Sequence, residues 1–494
     1  MKQKTENKYW WLFASVGVWL TAMILEGMHR VDTEELVLPV MALLLIGSSV
    51  WWSLHKGADR METLLLVFLG ASFFLRLLYC VDQPFNCSLH DLGTAYPQKE
   101  GWYQDGHLGY LQEIFQKGAL PEGDPREKWS FYNPPFFYVV AALMLKVQSL
   151  FGISMPRNLE NLQLFTMFFA TAAIQVSVAI LREFQIKGKA LLLSVALVAF
   201  HPYFFLGGAA LNNDMLSVLA IFVTLLYTIR WYKEMRTSYI VILAFSIGLG
   251  MMTKLSVGLI AVMVAIVFLI KFYKSKQYLA CIKQFVLFGV LCIPLGMYWP
   301  IRNAVLFGMP LVYVQALPLE DPQFVGYDVL KRLSLLDLQG WKDPFLRFNA
   351  EVDYNLWTCL AKTAVFDEKS VEVSQWQIVM VAKCLLYTGV GLGGTSVVLE
   401  ILHIVRREAS RLMLAMKALV VVLFLGSYIK FCFQFPMICS MNFRYVVPVL
   451  LVIAVNVGLY EQSSKAKRAG KALIGGISVL FVLSSIVVYG VLQL

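Results

Sequence analysis

The chain has 494 residues, of which 59% are hydrophobic and only 15% charged, with a mean hydropathy of +0.66. No water-soluble core of this size needs so much apolar surface, so the composition excludes a soluble globular protein and makes the bilayer the solvent. The net charge of +10 falls in short basic clusters between apolar runs, which is the pattern of a membrane protein and not of a nucleic-acid binder.

In chain order, thirteen apolar runs read as spanning helices: 9–26, 36–54, 61–83, 162–181, 189–206, 213–231, 238–253, 256–273, 280–299, 375–403, 412–432, 444–460 and 472–492. Each approaches the ~20 residues that cross ~30 Å of hydrocarbon, although two are short. The first run has no small-residue cleavage site after it, so no cleavable signal peptide is expected. Eight cysteines show no CxxC pair and no metal-ligand spacing; Cys80 with Cys87, or Cys432 with Cys439, are the candidate bridges on an oxidising face. The expected fold class is therefore an all-α polytopic membrane protein.

With this span order, the basic clusters near residues 2–8, 56–60, 182–189, 230–236, 271–276, 406–411 and 465–471 all fall on one face, which the positive-inside rule makes cytoplasmic. The long polar loops fall on the other. Phe136 to Phe151 is apolar enough to pass for a span, but a crossing there would move every later basic cluster outside. It is expected instead to be a helix on the outer membrane surface, started by Pro134-Pro135.

Polar residues that can carry chemistry gather on the outer face. The loop after the third span holds His90-Asp91, then a glycine- and aromatic-rich stretch with Asp105 and His107, and ends in Tyr132-Asn133-Pro134-Pro135. A carboxylate close to the interface is partly desolvated and suited to act as a general base, which marks Asp91. The plainer alternative for a loop aspartate is simple solvation. Aromatics beside hydrogen-bonding groups suit a sugar ring, although Trp102, Tyr103 and Tyr110 also fit an interfacial belt. Asn213 and Asp214 open the sixth span, where Asp214 has the alternative role of a helix-start residue. Lys254 lies between two short spans on the face where the inside-positive bias gives it no purpose. Arg302-Asn303 and Arg444-Tyr445 stand at outer helix ends. Three such cations suit a phosphate, with arginine as a two-pronged partner; taken singly, each is equally a snorkelling anchor.

These short motifs, His90-Asp91, Gly106-His107-Leu108-Gly109-Tyr110, Asn133-Pro134-Pro135, Asn212-Asn213-Asp214, Arg302-Asn303 and Phe443-Arg444-Tyr445, occur in an order that resembles bacterial polytopic glycosyltransferases of the GT-C fold. The group is that of protein O-mannosyltransferases and lipid A aminoarabinose transferases, and the likeness runs from about residue 61 to 460. The resemblance implies a membrane catalytic domain over 61–460, with a first large outer loop at 84–161 carrying surface helices and a second at 300–374. Residues 1–60 then form two additional N-terminal helices, and 461–494 a cytoplasmic loop and a last helix. It also implies a polyprenyl-phosphate-linked sugar donor, a glycan, lipid or protein acceptor, and an active site on the extracytoplasmic face of a bacterial cytoplasmic membrane. Asp91 matches the position of the family's base. No nucleic-acid partner is expected and no cofactor is required; a divalent metal is left open by Asp91, Asp105 and His107, which have no metal-ligand spacing. The chain departs from its relatives in having Asn133 where they often have His or Lys, and in lacking the soluble C-terminal domain of some. The rival reading is a transporter or lipid flippase, which calls for broken helices at mid-depth and internal repeats. No repeat is visible in the sequence, and the polar groups collect at one face. A third reading is a binding subunit without activity.

Overall fold

The computed structural model describes residues 10–28, 31–85, 97–99, 101–369, 371 and 375–494. The helices are α1 (Trp10–Gly27), α2 (Val31–His55), α3 (Arg60–Asp82), α4 (Gly106–Lys117), α5 (Phe136–Ser149), α6 (Met155–Glu183), α7 (Gly188–Ala199), α8 (Pro202–Ala209), α9 (Asp214–Glu234), α10 (Thr237–Met251), α11 (Gly258–Ser275), α12 (Tyr278–Phe307), α13 (Val329–Leu333), α14 (Leu356–Phe366), α15 (Trp376–Arg406), α16 (Arg411–Gln434), α17 (Val447–Gln462) and α18 (Arg468–Ile486). Two short antiparallel strands, Pro97–Lys99 and Trp102–Tyr103, precede α4. The protein is an all-α polytopic membrane protein.

Among the described residues, ten helices are long and apolar enough to cross a bilayer. Two bent pairs raise this to twelve: α7 with α8, bent by 42°, and the turn Ile438–Tyr445 with α17, bent by 47°. The remaining expected crossing, α10, is apolar but only 15 residues long. It packs closely against its neighbours. A Cβ on Gly248 would come within 2.9 Å of Leu295, and one on Gly250 within 2.7 Å of Val257. α5 has 14 residues and falls below the length of a span, as the surface-helix reading requires.

The chain folds into two compact units, Met1–Ala179 with Gly207–Gln315, and Ile180–Leu206 with Ala316–Leu494. In the first unit, α1 lies against α3 where Gly70 leaves room for Trp11, whose ring also meets Phe73 at 5.8 Å. The buried Glu26 on α1 accepts a hydrogen bond from Asn161 on α6. α9, α10, α11 and α12 form a bundle. Its basic end is tied by Trp231 donating to Gln284 (2.7 Å) and Gln284 donating to the Met235 carbonyl (2.8 Å). Trp231, Phe268 and Phe285 pack beside that tie, with Trp231 4.5 Å from Phe268 and Phe268 4.8 Å from Phe285.

In the second unit, Gly458 on α17 lets α7 approach so closely that a Cβ would lie 2.4 Å from Ser194 Oγ; Ser194 in turn donates to the Ala454 carbonyl at 2.8 Å. Towards its basic end, Lys417 on α16 pairs with Glu400 on α15 at 3.0 Å and donates to Asn456 on α17 at 2.5 Å, so a buried charge is paired and hydrogen-bonded. Cys432 donates through its thiol to the Ser440 carbonyl at 3.4 Å and forms no bridge to Cys439.

Candidate active site

The end of the first unit's bundle opposite its basic cluster collects the start of α9, the end of α10, the start of α11 and the end of α12. The chain leading into α5 closes over it. Asn213, at the entry to α9, donates to the Thr253 carbonyl at 2.8 Å and to Asn133 Oδ1 at 3.4 Å. Asn133 is held from behind by its own amide on the Ser130 carbonyl, 2.9 Å. The Phe136 amide donates to the Met252 carbonyl at 2.8 Å, so α5 starts against the break between α10 and α11. In that break Lys254 has extended backbone and its ammonium pairs with Asp214, the first residue of α9. Asp214 is buried and Lys254 nearly so. Asn212 Oδ1 accepts from the Asp214 amide at 3.0 Å.

The end of α12 braces this loop. Trp299 donates to the Tyr132 carbonyl at 3.0 Å, and Tyr132 meets Tyr313 edge-on at 5.8 Å. Arg302 donates to Asn303 Oδ1 (2.9 Å) and to the Pro121 carbonyl (2.7 Å), with its guanidinium 4.6 Å from the Trp299 ring. Arg302 and the buried Asn303 thus tie the first large loop to the end of a spanning helix.

α4 carries the aromatic wall of the site. Asp105 caps it by accepting from the Gly106 amide at 2.8 Å, and Gly106 takes φ of 68°, which a side chain disfavours. Gly109 lets the preceding turn fold back onto the helix: a Cβ there would be 2.4 Å from the Gln104 carbonyl carbon. Tyr110 stacks between Phe131 (4.6 Å) and Tyr138 of α5 (4.1 Å) and donates to the Asn133 carbonyl at 3.3 Å. Burial holds its phenol well above the usual value, with the Arg302 charge pulling the other way and Glu113 adding to the rise. His107 Nδ1 lies 2.6 Å from the Tyr138 hydroxyl. Glu113, at the far end of α4, is pushed up by partial burial, but Lys117 (2.8 Å) and Lys128 (2.6 Å) hold its carboxyl below the ordinary range on balance.

A second polar cluster belongs to the other unit. Asn442 caps the Phe443–Tyr445 turn by accepting from the Arg444 amide at 2.8 Å, while its own amide donates to Asp367 (2.8 Å) and Glu368 (3.0 Å). Arg444 lies 4.0 Å from Glu368 and donates to the Tyr445 hydroxyl at 3.2 Å. The Phe443 ring stacks on His201 at 5.3 Å.

Of the residues that the sequence points to, Asn133, Asn213, Asp214 and Lys254 form one connected group in the first unit. Tyr132, Arg302 and Asn303 brace it. Asp105 and His107 sit on the α4 wall, and Arg444 and Tyr445 belong to the second unit. His90 and Asp91 lie outside the described residues. Tyr138, Trp299 and Thr253 carry no signal in the sequence. Tyr138 and Trp299 sit in apolar runs, where an aromatic reads as core, and Thr253 contributes only its carbonyl.

Residues 133–299 match the family of dolichyl-phosphate-mannose-protein mannosyltransferases. The match covers about a third of the chain and supports a membrane glycosyltransferase of the GT-C type, in line with the likeness read from the motifs. It begins at Asn133 and ends at Trp299, whose indole closes on the residue before Asn133. No curated protein and no solved structure matches the chain.

Proposed function

We propose that this GT-C-type membrane glycosyltransferase moves a sugar from a polyprenyl-phosphate-linked donor to an acceptor hydroxyl on a glycan, lipid or protein, at the extracytoplasmic face and with inversion. The observation that carries the reading is the connected Asn133–Asn213–Asp214–Lys254 group at the end of the first unit's bundle away from its basic cluster. It lies within the stretch that matches a family named for a polyprenyl-type phosphate sugar donor.

In this reading Asp91 takes the proton of the acceptor hydroxyl, and the freed oxygen attacks the anomeric carbon from the face opposite the phosphate. The bond from that carbon to the phosphate oxygen breaks, and its electron pair leaves with the lipid phosphate. Lys254 supplies positive charge for the phosphate where water is scarce, and Asp214 fixes the ammonium in place. Asn133, held by the buried Asn213, offers its side-chain amide to a sugar hydroxyl, while the partly exposed His107, backed by the buried Tyr138 and Tyr110, borders the apolar side of the ring. The sequence also offers Arg444, in the second unit, as a fork-shaped donor to a phosphate.

The test uses purified protein reconstituted in lipid with a panel of undecaprenyl-phosphate-linked hexoses and pentoses. Release of undecaprenyl phosphate should depend on Asp91, with Asp91→Asn lowering turnover by roughly 10²–10⁴-fold, the span usual for a general base. Wild-type turnover in that variant would remove Asp91 from the mechanism.

A further inference from the structure

The second large loop has its polarity inverted. Across α13 and the chain that follows it, Leu330, Leu335, Leu336 and Leu338 are 85%, 75%, 83% and 75% exposed. Two polar residues of the same stretch, Arg332 and Asp337, turn inward. Arg332 is fully buried; it donates to the carbonyls of Gly326 (3.3 Å) and Cys432 (2.8 Å) and lies 4.7 Å from the Phe433 ring. The buried Asp337 accepts from the Gly340 amide (3.0 Å), the Tyr354 hydroxyl (3.1 Å) and the Thr358 hydroxyl (3.3 Å). Ser334 Oγ accepts from the Leu336 amide at 3.2 Å. A segment bathed in water would turn these polar groups out and bury the leucines, and a contiguous exposed apolar patch marks an interaction surface.

Hydrogen bonds to the spanning helices of the same unit set the level at which this patch sits. α15 ends at the basic residue Arg406, and Tyr387, nineteen residues before it, donates to the Trp341 carbonyl at 2.8 Å. α16 starts at the basic residue Arg411. Tyr428, seventeen residues on, donates to the Leu356 carbonyl at 3.0 Å, and Cys432, twenty-one residues on, accepts from Arg332. At 1.5 Å per residue these attachment points lie about 26–32 Å from the basic ends. That is the thickness of the hydrocarbon core, about 30 Å. Asn355 and Trp357, beside Leu356, then hold the leucine segment at the same level: Asn355 donates to the Ser334 carbonyl at 2.7 Å and Trp357 to the Leu333 carbonyl at 3.0 Å. The loop therefore rests at the bilayer boundary and not above it.

We propose that Val329–Leu338 is an interfacial anchor whose leucines are inserted among phospholipid acyl chains of the leaflet away from the basic ends. The exposed Lys331 lies within the segment, 4.2 Å from the Tyr354 ring, and the exposed Lys342 follows it. Long cationic side chains in this position reach lipid phosphates while their stems cover apolar surface. The occupant is lipid because the patch is level with the membrane boundary on two helices independently.

The test is quenching of an environment-sensitive fluorophore attached at Leu336→Cys, and separately at Leu330→Cys, in a background with Cys87, Cys384 and Cys439 replaced by serine. The protein is reconstituted in nanodiscs of phosphatidylcholine with or without brominated acyl chains, and aqueous iodide is titrated in. A label at the exposed Lys465→Cys gives the water reference. Insertion predicts strong quenching by bromolipid at both leucine positions and iodide quenching several-fold weaker than at the reference. Iodide quenching equal to the reference without bromolipid quenching would mean that the patch faces water. Protection from both quenchers would mean that protein, such as a second copy of the chain, covers it. Either result overturns the proposal.

Discussion

Lys254 and Asp214 are a nearly buried ion pair, and the physics of such pairs separates a structural role from a catalytic one. Removing one partner leaves the other charge buried and alone, which costs about 3–5 kcal/mol, whereas replacing both with apolar residues of similar volume is often close to neutral. Lys254→Met should therefore lower the melting temperature, and Lys254→Met with Asp214→Leu should recover most of it. If Lys254 serves the donor phosphate, the double variant stays inactive despite its recovered stability. Thermal unfolding in detergent and release of polyprenyl phosphate measure the two effects separately, and a double variant that transfers sugar at the wild-type rate would reduce the pair to scaffolding. Arg444 is tested differently because its value lies in shape. With Glu368 at 4.0 Å on one side and Tyr445 on the other, its guanidinium is oriented by neighbours that a lysine would not match. Arg444→Lys should raise KM for the polyprenyl-phosphate sugar at least several-fold while leaving KM for the acceptor unchanged. Unchanged donor kinetics would make Arg444 an interfacial anchor.

α4 shows how an element can depend on one absent methyl group. Gly109→Ala would place a Cβ 2.4 Å from the Gln104 carbonyl carbon, so the helix and the turn carrying its Asp105 cap must separate. Overpacking of this kind costs about 1–3 kcal/mol, and faster hydrogen exchange across residues 101–112 should accompany it; unaltered exchange there would show that the turn yields freely. The other end of α4 is sensitive to pH. The Glu113 carboxyl is lowered in the folded protein, so its pairing stabilises above the unfolded value near 4.3 and is lost as pH falls through the lower folded value. The melting-temperature advantage of the wild type over Glu113→Gln should be full at pH 7 and gone once the pH is below that folded value. Most spanning helices are legible in the sequence because a bilayer demands long apolar runs, and those runs are local. The bends are not. Pro202 is compatible with the first turn of a helix, so residues 189–206 read as one span, yet the chain bends by 42° there. Arg444 reads as the start of a helix, while the structure gives a capped turn and a helix that starts at Val447. The ties of Arg302 to the Pro121 carbonyl and of Trp299 to the Tyr132 carbonyl join residues more than 160 positions apart through backbone oxygens, which no residue type announces.

At the scale of the whole molecule, α5 decides the orientation of everything that follows it. Its 14 residues rise about 21 Å, short of the ~30 Å core, and the first of them is hydrogen-bonded to the break between α10 and α11. Its buried side is a continuous stripe of Phe137, Tyr138, Ala141, Ala142, Leu145 and Gln148, packed against its own unit, and its exposed side carries Val139 and Leu143 with Lys146 one turn on. A helix of that make-up suits the boundary between lipid and water, with its apolar outer face in acyl chains and its lysine at the headgroups. On that reading the chain enters and leaves α5 on the same side of the membrane, and the later basic clusters are expected on the other side, as the positive-inside rule requires. Cysteines introduced at the exposed positions Gly123 and Ser154, on either side of α5, should both react with an impermeant maleimide applied to intact cells, and one at Lys465 should react only after the membrane is opened. The 465–471 cluster and the 123–154 segment are separated by many crossings, so the three sites test the parity of the whole chain and not one window of hydropathy. Labelling of Gly123 and Ser154 from opposite sides would make α5 a crossing. It would turn every later basic cluster outward and move the Lys254 site to the cytoplasmic face, where a nucleotide-sugar donor would have to be considered in place of a lipid-linked one.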